Sequence, residues 1–168
     1  MLRIKLLILF LTSVTIISCS YSTLKSNQKY SMGYISGGFD GTFLRNTLFS
    51  YLNSMDIYDK NSPLEIKISV SHGTNIYITN IDNTSDRERV TSSISASLNN
   101  KDLDCVVFNE AISLNQFYIY APNERFLSNQ SALKKIKKEN TETLVRKFID
   151  KLTLNKKFKC DDEKQSNT

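Results

Sequence analysis

Leu64-Glu65-Ile66-Lys67-Ile68-Ser69-Val70-Ser71 opens the stretch that decides the fold, with an apolar residue at every even position and a polar one at every odd position. A period of two sends alternate side chains to opposite sides of a strand, so the segment is a strand with one buried face. Ile76 and Ile78 continue the even series. After the polar turn Asn80 to Asp86, Val90, Ser92, Ile94, Ala96 and Leu98 alternate with Thr91, Ser93, Ser95 and Ser97. Asn99-Asn100-Lys101-Asp102 is a hairpin signal, and Val106, Phe108, Ile112, Leu114, Tyr118 and Tyr120 share one parity in a run that ends at Pro122. Three such strands in succession predict an antiparallel meander with one apolar face and one rich in Ser and Thr.

Upstream, Tyr30, Met32 and Tyr34 share a parity and predict a first strand, closed by Gly37-Gly38. Asp40 or Thr42 then offers an N-cap for a helix whose apolar residues are Leu44, Leu48, Tyr51, Leu52 and Met55. The turn run Asp59 to Pro63 breaks that helix. Downstream, from about Ser128, Leu133, Ile136, Leu144, Phe148 and Leu152 predict a final helix whose middle, Lys137 to Thr143, is conspicuously polar. The order strand, helix, three strands, helix specifies an α+β class: two helices packed on one face of a four-stranded sheet, a βαβββα sandwich. Residues 29–154 form the expected domain, and residues 155–168, with little apolar material, are expected to be a disordered tail.

The most apolar part of the 168-residue chain is its beginning. Arg3 and Lys5 precede the apolar run Leu6 to Leu11 and Val14 to Ile17, the pattern of a secretory leader. Its end, Ile16-Ile17-Ser18-Cys19, resembles the bacterial lipobox, which implies cleavage after residue 18 and acyl chains on Cys19. Several chains anchor stably where one chain, at about 0.8 kcal/mol per buried methylene, binds only marginally. Residues 19–28 then read as a polar tether reaching about 30 Å if extended. Ser20 after the anchor resembles lipoproteins sorted to the outer membrane. Loss of residues 1–18 leaves 150 residues and removes Arg3 and Lys5, so the net charge of +5 falls to +3. That is too weak a balance for a nucleic-acid partner. After the leader no stretch approaches the roughly 18 consecutive apolar residues of a spanning helix, which excludes a polytopic membrane protein.

Catalytic templates find little purchase. His72, the single histidine, sits on the apolar parity of its strand with no motif around it, and reads as a structural histidine. No Cys/His pair has metal-ligand spacing. Gly37-Gly38-Phe39-Asp40-Gly41 lacks the lysine and hydroxyl residue of a phosphate loop and reads as turn chemistry. The expectation is therefore a non-enzyme with no catalytic residues, no cofactor and no metal. Cys105 and Cys160 remain for pairing: a strand of about 50 Å followed by a helix of about 35 Å returns the chain toward its start. A disulfide and two free thiols are both open in an oxidising periplasm.

The lipobox, the first strand, Leu44-Arg45-Asn46 opening a helix that continues through Leu48 and Leu52, Arg89 seven positions before Ala96, and the terminal helix together resemble the LptE family. The resemblance runs from about residue 16 to residue 154 and rests on the order and spacing of these features. Ser20-Tyr21 and a final helix poor in alanine depart from the family pattern. What the resemblance implies is a lipid-anchored protein on the periplasmic side of the outer membrane, inside the lumen of an LptD-like β-barrel. There it would support assembly of the barrel and aid lipopolysaccharide transport to the outer leaflet. The rivals are a generic envelope lipoprotein scaffold, an accessory of another barrel-assembly machine, and a periplasmic hydrolase. A polar lumen suits the Ser/Thr-rich odd face with Lys67, although one wet face is common in antiparallel sheets. For lipopolysaccharide, Arg87 and Arg89 at the start of the third strand, and Lys134, Lys135, Lys137 and Lys138 on the last helix, are the candidate contacts to lipid A phosphates, expected at one end of the domain.

Overall fold

A computed structural model describes residues 28–78, 85–119, 126–155 and 158–160. The elements are β1 (Ser31–Ser36), α1 (Gly38–Ser54), β2 (Leu64–Ile78), β3 (Ser85–Asn100), β4 (Cys105–Ile119) and α2 (Phe126–Leu154). They form a four-stranded sheet of order β1-β2-β3-β4. The expected meander is present: β2 pairs antiparallel with β3 from Leu64 opposite Asn100 to Ile78 opposite Ser85, and β3 pairs antiparallel with β4. β1 lies parallel to β2 because α1 carries the chain back across the sheet between them.

Both helices pack on one face. α1 covers β1 and β2, α2 covers β3 and β4, and the two helices contact each other. The even residues of β2 and β3 meet them; in β1 a register shift between Met32 and Ile35 breaks the expected parity of Tyr30, Met32 and Tyr34, so that Ile35 packs on the core and Tyr34 is exposed. Leu44, Leu48 and Leu52 of α1, Ile66, Ile94 and Leu98 of the sheet, and Leu144, Phe148 and Leu152 of α2 are fully buried. Each such side chain contributes about 1.5–3 kcal/mol relative to exposure.

Three local readings are corrected. Helix α1 starts earlier than Asp40 or Thr42 would allow: its N-cap is Gly37, at φ 133°, with no side-chain cap. A Cβ there would lie 2.6 Å from Val70 Cγ1, so close approach as well as backbone conformation requires glycine. Second, the parity of β4 slips near its start. Leu98 faces Phe108 but Asn99 faces Val106, so Val107 is the extra residue of a β-bulge. Val107 is consequently buried and Val106 exposed, the reverse of the simple alternation. Third, the segment after residue 155 is not wholly tail. Phe158 and Cys160 pack against the core, and Cys160 is joined to Cys105 with a Cα–Cα distance of 5.6 Å. Rings run in contact from Tyr30 to Phe158 (6.4 Å between centroids), Phe158 to Phe108 (6.1 Å) and Phe108 to Phe148 (6.3 Å). The reason is local: one aromatic two residues before a cysteine anchors an otherwise polar segment.

Candidate functional site

The face of the sheet away from the helices is a cross-strand ladder of small polar side chains. Pairing sets Ser71 beside Ser93 and Ser93 beside Ser113, Ser69 beside Ser95 and Ser95 beside Ala111, and Lys67 beside Ser97 and Ser97 beside Asn109. Ser71 and Ser93 share a hydrogen bond at 2.8 Å, Thr91 Oγ1 donates to Asn115 Oδ1 at 2.7 Å, and Ser69 Oγ donates to the Ser95 carbonyl at 3.4 Å. A shallow depression of about 310 Å³ lies at one end, lined by Tyr34, Lys67, Ser69, Ser95, Ser97 and Asn109 among others. The surface is low, hydrogen-bonding and without large side chains along its centre, because β3 alternates serine with its core residues.

At the other end of this face the chemistry changes. Arg89 pairs in register with Phe117, and Arg87 with Ile119. Phe117 and Ile119 are exposed, and Arg87 lines a depression of about 270 Å³ with Phe117, Tyr118 and Ile119. Arg87 and Arg89 share the parity of Thr91 and Ser93, whereas Glu88 between them turns under the helices, where it is buried and accepts a hydrogen bond from the Tyr118 hydroxyl.

The lysines lie elsewhere. Lys134, Lys137 and Lys138 border a groove of about 470 Å³ between the first turns of α1 and the N-terminal half of α2, with Phe39, Asp40, Phe43 and Leu133 among its lining. Lys138 Nζ sits 5.3 Å from the centroid of the Phe43 ring, a cation–π contact. Lys135 does not line the groove, and its ammonium is 3.8 Å from Glu139 one helical turn on. The two basic clusters, expected at one end of the domain, thus lie on different faces of it. Asn140 of α2 meets Ser92 of β3, which sets both clusters toward the same end, but the arginines are on the open face and the lysines on the helical layer. The reason is strand parity, which two odd-numbered arginines on β3 must obey.

Beneath the groove is a buried polar network missed in the sequence reading. His72 Nδ1 and Ser92 Oγ are 2.8 Å apart across the β2–β3 pair, Asn140 Nδ2 donates to the same Oγ at 3.0 Å, and His72 Nε2 is 3.8 Å from Asp40 Oδ2. Asn140 and Thr141 are buried, and Thr141 Oγ1 donates to the Lys137 carbonyl. This explains the polar middle of the last helix: it faces the two polar residues, His72 and Ser92, that stand on the otherwise apolar parity of the sheet. Burial pushes the His72 imidazole below its usual range; the nearby Asp40 opposes this and Lys137 adds to it. Asp40, His72 and Ser92 are the residue types of a nucleophilic triad, but Ser92 has no exposed surface and its Oγ is held by Asn140. A substrate carbonyl cannot reach it. Among the described residues no three His, Cys, Asp or Glu side chains are grouped as a metal site. Cys19 lies outside the described residues, and no helix among them is long and apolar enough to cross a membrane.

No protein-family model matches the sequence, and no curated protein is similar to it in sequence. The fold, in contrast, is shared with bacterial lipoproteins. Rare lipoprotein B from Shewanella oneidensis superposes with a TM-score of 0.63 over 76% of this chain and 95% of its own, at 8% identity. A minor lipoprotein from Acinetobacter baumannii gives a TM-score of 0.57 over 77% of this chain and 93% of its own, at 12% identity. Lipoprotein B from Nitrosomonas europaea gives 0.57 over 75% and 82%, at 10% identity. At such identities the likeness concerns the fold alone. It covers nearly the whole of the first two proteins, so the sandwich is a complete architecture that lipoproteins use.

Proposed function

We propose that the protein is an outer-membrane lipoprotein of the LptE type, held by acyl chains on Cys19, that supports assembly of and plugs an LptD-like β-barrel and so aids lipopolysaccharide transport to the outer leaflet. The role is non-enzymatic. The observation that carries it is the open sheet face. A barrel lumen is polar, and a body seated inside one needs a polar surface low enough for the wall to approach. The Ser69–Ser95–Ala111 and Ser71–Ser93–Ser113 rows provide small hydroxyl-bearing side chains in register over three strands. The likeness in fold to lipoproteins and the lipobox-like end of the leader support the same reading. Arg87 and Arg89, beside exposed Phe117 and Ile119, offer lipid A phosphates charge next to apolar surface.

The test is capture. Tagged full-length protein, extracted in mild uncharged detergent, is expected to bring down an LptD-like barrel in comparable amount, and its depletion to lower surface lipopolysaccharide. Recovery of a different barrel-assembly machine, or of no barrel with surface lipopolysaccharide unchanged, overturns the proposal in favour of an accessory or scaffold role.

A further inference from the structure

The sheet ends in two edges that are built differently. On one side β1 is 6 residues long and its register with β2 breaks between Met32 and Ile35, so it offers little straight backbone to a neighbour. On the other side β4 is 15 residues long. After the bulge at Val107 its pairing with β3 runs without interruption from Phe108 opposite Leu98 to Ile119 opposite Arg87. Among the described residues no strand lies beyond it. Edge strands are commonly guarded by shortness, bulges, proline or charged side chains, lysine above all, because a bare edge is a template for another strand. Cys105–Ile119 holds no Lys, Arg or Pro, and its single charged side chain, Glu110, is ion-paired with Lys151 of α2. The β1 edge is guarded, and the stretch of β4 beyond the bulge is not.

What fits this edge is β4 itself. We propose that two copies of the chain pair antiparallel through β4 about a twofold axis at Ser113, an isologous contact that joins their sheets into one. In that register, on the helical side, Ile112 stands opposite the partner's Leu114, and Glu110 opposite the partner's Gln116, whose amide can donate to the carboxylate. The two Glu110 side chains are kept about 20 Å apart along the strands. On the open side Ser113 meets its own copy and Ala111 meets the partner's Asn115, so the row Ser71–Ser93–Ser113 continues across the axis with no bulky side chain to hold the edges apart. Moving the axis by one residue spoils the match, since it sets Glu110 against Leu114 or Ile112 against Gln116. The helices agree with the same axis. α2 contacts both β3 and β4. With strands about 4.8 Å apart, an axis beside β4 brings the two α2 helices to about 10 Å, a normal distance for packed helices. The pairing leaves the serine face open and extends it, and it stands apart from the barrel reading.

The experiment uses the full-length lipoprotein in uncharged maltoside detergent. Ser113 and Asn115 are exposed, so cysteine at either spares the core. Ser113→Cys is expected to give a disulfide-linked dimer under mild oxidation, because directly opposed residues of an antiparallel pair have Cα atoms about 4.5–5.5 Å apart, within disulfide reach. Asn115→Cys should give none, since the two copies of that position lie about 13 Å apart along the strands. Gln116→Glu sets a second carboxylate opposite Glu110 twice per dimer and should weaken association about tenfold by sedimentation, whereas Gln116→Lys, facing the same carboxylate, should not weaken it. In cells, a photoreactive residue at position 116 should yield an adduct of twice the chain's mass. A wild type that is monomeric at every concentration, cysteine dimers as frequent at position 115 as at 113, or equal weakening by the two Gln116 variants each overturns the pairing. Adducts from position 116 with other proteins only would overturn it in favour of a foreign strand on the same edge.

Discussion

Around Phe148 the layer under the helices is dry and closed, whereas around Asn140, about two turns earlier on the same helix, it is polar and opens into a groove. The closed half is built from Leu52, Leu98, Phe148 and Leu152, is stacked with aromatic rings through Phe158, and is stapled by the Cys105–Cys160 disulfide. The open half spends its buried positions on His72, Ser92, Asn140 and Thr141. A buried polar group costs about 1–3 kcal/mol unless it is paired, so such a network holds one arrangement at the expense of packing stability. The difference teaches where the two jobs of the fold reside: stability at the disulfide end, and shaped, charged surface at the other.

The largest effect should come from the closed half. Phe148→Ala is expected to destabilise the domain by about 3–5 kcal/mol, read as a shifted denaturant midpoint at constant slope. Next comes the staple. Cys105→Ala with Cys160→Ala opens a link spanning 55 residues and should cost about 2–4 kcal/mol. Equal thermal stability of oxidised and reduced wild type would show that the aromatic stack alone holds the closed half. In the open half, Asn140→Leu removes the donor to Ser92 Oγ and should cost about 1–3 kcal/mol, despite adding an apolar side chain to a core helix. A stabilised variant would mean that the network is dispensable and the contrast between the halves is only compositional.

The contrast also predicts a pH dependence. His72 is held below its usual value of 6.5 by burial, so the unfolded chain takes up a proton more readily than the folded one. The contribution of this group is fully present above about pH 6.5 and diminishes as pH falls from there toward the lowered folded-state value. His72→Gln should therefore flatten the loss of stability between neutral pH and pH 5, measured by chemical unfolding at each pH. A slope identical to wild type would assign the acid sensitivity to other groups. The smallest effect belongs to the open face: Ser95→Ala should change stability by no more than about 0.5 kcal/mol, since the side chain is exposed and its cross-strand neighbours Ser69 and Ala111 are small.

The architecture was legible because the signals that set it are periodic. Even parity in Leu64 to Val70 and in Val90 to Leu98 fixes which face meets the helices, and register follows from the hairpin at Asn99 to Asp102. Parity failed where the backbone departs from it, at the Val107 bulge, since a bulge adds a residue without altering composition. The His72–Ser92–Asn140 network was legible only as three anomalies, each polar on an apolar parity or helix face. Joining them required the cross-strand pairing of His72 with Ser92 and the height of α2 over the sheet. The groove was out of reach for the same reason, since Phe43 and Lys138 come from helices 95 positions apart in the chain and meet only through packing. Counting basic residues found the lysines and arginines, and parity on β3 alone places the arginines on the other face.

The central claim is that the serine face of the sheet, and not the outer surface of α2, meets a barrel. A photo-crosslinking residue introduced at Ser93, at the middle of the ladder, and separately at exposed Glu142 tests it in living cells expressing the full-length protein. The account predicts an adduct between the Ser93 variant and an LptD-like barrel, much stronger than any from the Glu142 variant. An adduct at Glu142 with none at Ser93, or Ser93 linked only to soluble periplasmic proteins, would contradict it.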